Sequence, residues 1–193
     1  MSNPSVVGGS TRRKLLEVGL ATLITAILGI GANGNASASL KTLDNYSVLD
    51  LKGKPRYGGI QDYIKAQGSP KPAIVALGAY WCLPCGDDIA ILNEISAQYS
   101  GKLYVVGVNS LHSDKIKEDA KKTVQWLTEF SAQYPSVLMS GNEMGRLLRE
   151  NGLDSHLPVN FLIDKEYRIH LVENYLDSAA QARLREKINI LIK

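Results

Sequence analysis

Residues 79–86 read Ala79-Tyr80-Trp81-Cys82-Leu83-Pro84-Cys85-Gly86, and the chain's two cysteines both lie in this stretch. Just before them, residues 73–79 form a continuous apolar run of strand length. Such a run suits a central strand buried on both faces. Just after, Ile91, Leu92, Ile95 and Tyr99 recur at helical spacing within residues 87–99. The dithiol therefore sits where a buried strand gives way to a helix. A helix N-terminus presents unpaired N–H groups and a partial positive charge, which favour a thiolate. Cys82 is thus expected to be nucleophilic near neutral pH. Cys85 lies about one turn on, on the same face. It can close a disulfide with Cys82 or attack a mixed disulfide and release its partner. Pro84 is tolerated in a first helical turn, where its missing N–H has no intrahelical partner. Leu83 and Pro84 stiffen the loop between the thiols.

Other uses of two cysteines fit less well. A structural zinc site needs about four ligands, and His112, His156 and His170 have no paired spacing. A c-type haem needs a histidine directly after the second cysteine, where Gly86 stands. A purely structural bridge over so short a loop would constrain the unfolded chain little.

Outward from this centre, residues 46–51 read as a short edge strand and 60–66 as a helix. Residues 103–108 read as a second buried strand. A long helix over 114–133 follows, stopped by Pro135, with Trp126 and Phe130 expected in the core. Residues 137–139 are a strand, and 143–151 a helix closed by Gly152, a favourable C-cap. Residues 159–163 and 168–172 read as two strands around a tight turn. A final helix over 178–192 has Asp177 or Ser178 as N-cap. Alternating strands and helices imply βαβ units with a parallel core, and the last two strands add an antiparallel hairpin.

Residues 1–38 are different material. Arg12-Arg13-Lys14 precede an apolar stretch from Leu15 to about Ala32, then small residues that include Ala36-Ser37-Ala38. That is the pattern of an export signal cleaved after Ala38, leaving a linker over 39–45. An uncleaved N-terminal anchor is the alternative. The paired arginines followed by Leu15-Leu16 also read as a twin-arginine export signal. Either route leads outside the cytoplasm, where disulfides persist.

Formal net charge is +3, with 22 basic and 19 acidic residues. The leader holds three of the basic residues and Glu17, leaving 19 basic and 18 acidic side chains in the remainder. Neither a nucleic-acid nor a membrane-surface role has an electrostatic basis there.

Trp81-Cys82-Leu83-Pro84-Cys85 after a buried strand, with Leu157-Pro158-Val159-Asn160-Phe161-Leu162-Ile163-Asp164 far downstream, resembles the thioredoxin superfamily. The resemblance is strongest to its exported bacterial TlpA/ResA-like branch and covers about residues 46–193. It implies an α/β fold, a thioredoxin-like three-layer sandwich with a short N-terminal extension and a helical insertion. By the same resemblance Cys82 is the attacking thiol and Cys85 the resolving one. Pro158 matches the cis-proline facing the disulfide, with a trans proline opening a strand as the alternative. Its turn would leave the Leu157 backbone free to pair with a bound substrate strand. Trp81 matches the tryptophan beside the thiols, where it packs or faces substrate. Trp81, Leu83, Pro84 and Leu157 thus form the expected substrate-binding set.

Asp88 matches an acid that helps move a proton at the resolving thiol, although Asp87 is an alternative. Here the chain departs from thioredoxins: Ala76 stands six residues before Cys82, where they carry an acid. Gly78 leaves space on the same strand. His156, two residues before Pro158, either points inward toward Cys82 or lies exposed on its loop. Lys115, Lys117, Lys121 and Lys122 read as a solvated face.

The function this implies is an exported thiol–disulfide oxidoreductase, a monomer without cofactor. It would reduce disulfides of exported proteins, with apocytochrome c as a family-type substrate, and draw electrons from a membrane thiol–disulfide donor. A disulfide-donating oxidase or isomerase is the alternative. A Cu(I)-binding chaperone on the same fold is a third, since two thiolates suit soft Cu(I).

Overall fold

The computed structural model describes residues 46–193. The expected leader and linker lie outside the described residues. Seven strands form one mixed sheet, in the order β2-β1-β5-β4-β3-β6-β7. In its interior lies β3 (Ala73–Gly78), buried along its whole length. The strand pairs in parallel with β4 (Tyr104–Ser110) and antiparallel with β6 (Val159–Ile163). On the far side of β4, β5 (Ser136–Met139) continues the parallel core, and β7 (Ile169–Glu173) closes the other end against β6. The mixed sheet follows from the alternating sequence pattern and its terminal hairpin.

The period of two along each strand divides the core into two layers. Ala73, Val75 and Leu77 of β3 pack with Phe161 and with α1 (Ile60–Lys65) and α4 (Gly141–Glu150). Ile74 and Ala76 face the opposite way, onto Ile89, Leu92 and Ile95 of α2 (Leu83–Gln98). Leu184 and Ile188 of α5 (Ser178–Leu191) complete that layer. Helices cover both faces of the sheet, giving the expected three-layer sandwich.

Several boundaries differ from expectation. The edge is β2 (Pro55–Tyr57), which the sequence pattern does not reveal, and β1 (Val48–Leu49) lies between it and β5. An exposed Pro-Arg-Tyr segment carries no apolar alternation, so only its pairing defines it. The helix after the dithiol begins at Leu83, ahead of the apolar stripe at residues 91–99, with Pro84 in its first turn as expected. The long helix α3 (Ile116–Glu129) stops well short of Pro135. Ser131 takes a left-handed φ of 55°, and Ser131 and Ala132 donate back to the Thr128 and Leu127 carbonyls. That is a helix stop made by backbone bonds. Gly152, at φ 72°, ends α4 in the same way. Phe130 does not enter the core: it is 41% exposed.

Candidate active site

Cys82 is the N-cap of α2, in extended conformation, with Pro84 in the first turn. Its N–H donates to the Ala79 carbonyl at 3.0 Å, and Cys85 N–H donates to the Cys82 carbonyl at 3.1 Å. These bonds turn the end of β3 directly into the helix. Cys82 and Cys85 are joined by a disulfide, with Cα atoms 5.3 Å apart. The two sulfurs sit in different environments: Cys82 is partly exposed, whereas Cys85 is buried. Accessibility therefore makes Cys82 the thiol that can meet an outside disulfide.

Leu83 is 90% exposed and Trp81 41% exposed beside it. The Trp81 ring is held edge-on to Tyr80 at 5.0 Å and tilted against His112 at 5.1 Å. Asp119, buried at the start of α3, anchors this cluster. Tyr80 Oη donates to its Oδ1 at 3.1 Å, while the backbone N–H groups of His112 and Ser113 donate to Oδ2 at 2.9 and 2.7 Å. Burial works against the Asp119 charge, but these donors outweigh it and hold the carboxyl below its usual range. Neither His112 nor Asp119 is visible as a site residue in the sequence, since their partnership spans loops far from the dithiol.

Beneath the disulfide lies a cavity of ≈ 20 Å³, bounded by Cys85, Asp88, Asn109, Tyr134, Pro158 and Asn160 among others. Asp88 is buried, whereas Asp87 is exposed. Asn160 Nδ2 donates to Asp88 Oδ2 at 2.8 Å, and Leu176 N–H donates to Oδ1 at 3.1 Å. Burial nevertheless pushes the Asp88 carboxyl above its usual value, and the two donors only partly offset it. Asn160 is the residue that sequence reasoning missed. The available signal was a single amide in an otherwise apolar strand.

The Leu157–Pro158 peptide is cis, and Pro158 is buried at the cavity wall with Leu157 partly buried beside it. Ala76 lines the cavity, opposite Asn160 in the sheet. A Cβ placed on Gly78 would lie 3.7 Å from Cys85 Cβ, an ordinary contact. His156 is exposed on its loop, as are Lys115, Lys117, Lys121 and Lys122. Among the described residues, no three His, Cys, Asp or Glu side chains converge on a metal-sized site, and no helix is long and apolar enough to cross a membrane.

A disulfide at the start of a helix, sharing a cavity wall with a cis-proline beside a mixed sheet, is a thioredoxin-type arrangement. No family model matches the chain. Over 97 residues it is 34% identical to the thiol:disulfide interchange protein DsbE of Escherichia coli K12, covering 49% of this chain and 44% of that protein. Over 129 residues it is 26% identical to the thiol-disulfide oxidoreductase ResA of Bacillus thuringiensis subsp. konkukian, covering 67% and 65%. The chain thus matches less than half the length of DsbE. The fold matches a crystal structure described as a thiol:disulfide interchange protein DsbE from Chlorobium tepidum, with a TM-score of 0.58 and 20% identity over 80% of this chain and 99% of that one. It also matches a secreted disulfide oxidoreductase of Mycobacterium tuberculosis, with a TM-score of 0.52 and 15% identity over 76% and 96%. In sequence the chain is similar to DsbE and ResA over part of its length, and its fold is thioredoxin-like.

Proposed function

We propose that the chain is an exported thiol–disulfide oxidoreductase that reduces disulfides of extracytoplasmic proteins. The observation that carries this reading is the unequal pair: an accessible Cys82 at a helix N-terminus and a buried Cys85 above a buried carboxyl. In the reduced protein the Cys82 thiolate attacks one sulfur of a substrate disulfide, and the displaced substrate thiolate takes a proton from solvent. Asp88 accepts the Cys85 proton, as the affinity for protons that burial raises equips it to do. The Cys85 thiolate then attacks Cys82 Sγ. The Cys82–Cys85 bond forms, the mixed disulfide breaks, and two electrons have passed to substrate.

Trp81 and Leu83 form an exposed apolar rim for the substrate chain, Pro84 shapes the turn, and Leu157 offers backbone to it beside Pro158. The oxidised pair is recharged by a membrane thiol–disulfide donor, since no reducing pool exists outside the cytoplasm. Disulfide-bearing exported proteins, apocytochrome c among them, are the substrate class. Residues 1–38 serve as the export signal, 39–45 as a linker, and residues 46–193 work as a monomer without cofactor.

Insulin reduction tests this, with dithiothreitol as donor and metal content measured in parallel. Multiple turnover is expected, with Cys82→Ser inactive and Cys85→Ser accumulating a mixed disulfide. Absence of turnover together with stoichiometric bound copper would replace a redox function with a metal-carrying one.

A further inference from the structure

We propose that Asn160 is the positioning residue of the proton path, fixing the Asp88 carboxyl and holding one water in the cavity beneath the disulfide. That water carries the proton between Cys85 and Asp88. The inference rests on the assignment of Asp88 as the proton acceptor for Cys85.

Asn160 is an amide in the buried strand β6, a costly place for a group with four hydrogen-bonding positions. Its Nδ2 is used on Asp88 Oδ2. Its Oδ1 is buried and accepts no hydrogen bond from the protein. Buried polar atoms are otherwise almost always paired, directly or through water. The adjoining cavity is the right size for the missing partner: ≈ 20 Å³ exceeds the minimum of roughly 10–15 Å³ that one water requires. Cys85 and Asp88 share its wall with Asn160.

A water there has complementary partners. It accepts from Cys85 Sγ–H, donates one O–H to the Asp88 carboxylate, and donates the other to Asn160 Oδ1. Small Ala76, opposite Asn160 in the sheet, leaves the room. The step balances: Cys85–SH and Asp88–COO⁻ become Cys85–S⁻ and Asp88–COOH, and the water gives one proton for each it receives.

The ionisable groups around Asp88 are few. Cys85 and Asp87 lie on α2 itself, and Tyr134, ahead of β5, is kept neutral by burial. Across the sheet, β7 places Glu173 opposite Asn160, where Arg183 of α5 neutralises it at 2.7 Å. The other cavity-lining residues of β3, β4 and α3, Asn109 and Trp126 among them, do not ionise.

The test titrates Cys85 in the full chain carrying Cys82→Ser, by ultraviolet thiolate absorbance. It is repeated with Asp88→Asn and with Asn160→Leu. The Cys82→Ser protein is expected to titrate in two coupled steps, and Asp88→Asn should leave one. Asn160→Leu should keep both steps but move the acid step upward by about one to two pH units, because a hydrogen bond to a charged acceptor is lost. A high-resolution crystal structure of the unaltered chain should show a water bonded to Asn160 Oδ1, and this check needs no variant to fold. An unmoved acid step in folded Asn160→Leu, or a dry cavity, overturns the inference while leaving Asp88 in place. An unchanged titration in Asp88→Asn overturns both.

Discussion

Replacing Asp88 separates its structural from its electrostatic role. The carboxyl accepts from Asn160 Nδ2 at 2.8 Å and from Leu176 N–H at 3.1 Å, and all three groups are buried. Asp88→Ala strands both donors. Each stranded donor costs about 1–3 kcal/mol, so the loss is about 2–6 kcal/mol, with water entering the enlarged cavity bringing it toward the low end. Against a typical total of about 5–15 kcal/mol, that is a severe lesion. Asp88→Asn keeps an acceptor for Leu176, and Asn160 can turn its amide to present Oδ1 to the new NH₂. Near pH 4 this variant should stay within about 1 kcal/mol of the parent.

The two proteins then diverge with pH. Burial raises the Asp88 pKa in the folded state, so the native protein holds this proton more tightly than the unfolded chain does. The stability this confers is complete below the unfolded carboxylate pKa, about 3.9. It is lost as pH rises through the folded value, while Asp88→Asn loses nothing. The variant should therefore gain on the parent as pH is raised from about 4 through the folded value. Urea unfolding of the oxidised proteins across that range measures the difference. A flat difference, or an Asp88→Ala protein within about 1 kcal/mol of the parent, would refute the placement of Asp88.

Four further variants test the packing. Trp81→Ala should lower kcat/KM for a protein disulfide about tenfold, as loss of an exposed aromatic anchor does, with the thermal midpoint little changed; equal losses in turnover of a small disulfide would argue against substrate contact. Gly78→Ala meets only ordinary contacts near Cys85 and should fold like the parent, whereas a methyl on Gly107 would fall on Ser136 Oγ and lie 3.2 Å from Tyr134, costing about 1–3 kcal/mol in urea unfolding. Asp177 caps α5 by accepting from Ala180 N–H at 2.8 Å, so Asp177→Ala should cost about 1 kcal/mol by the same measurement.

The central strand, the hairpin and the dithiol were legible because each is written locally. An unbroken apolar run from Ala73, two strand-length runs around the turn at residues 164–167 and two cysteines three apart need no partner to be recognised. Asp88 was legible only as one of two adjacent acids, and burial of one and exposure of the other distinguishes them. What stayed hidden depends on long-range pairing. Asn160 meets Asp88 across 72 residues, and Asp119 meets Tyr80 across 39. Phe130 sits four residues after Trp126, which suggested one buried stripe, yet α3 ends at Glu129, so that Trp126 packs against the core and Phe130 stays exposed. β2 exists through its pairing with β1 alone.

The reduction potential of the Cys82–Cys85 pair bears most directly on the proposed direction of electron flow. It is obtained by equilibrating the protein in graded dithiothreitol or glutathione buffers and quantifying free thiols. A protein that reduces exported disulfides should give a value near that of thioredoxin, about −270 mV, or lower. A value near that of DsbA, about −120 mV, would contradict it and make the chain a donor of disulfides.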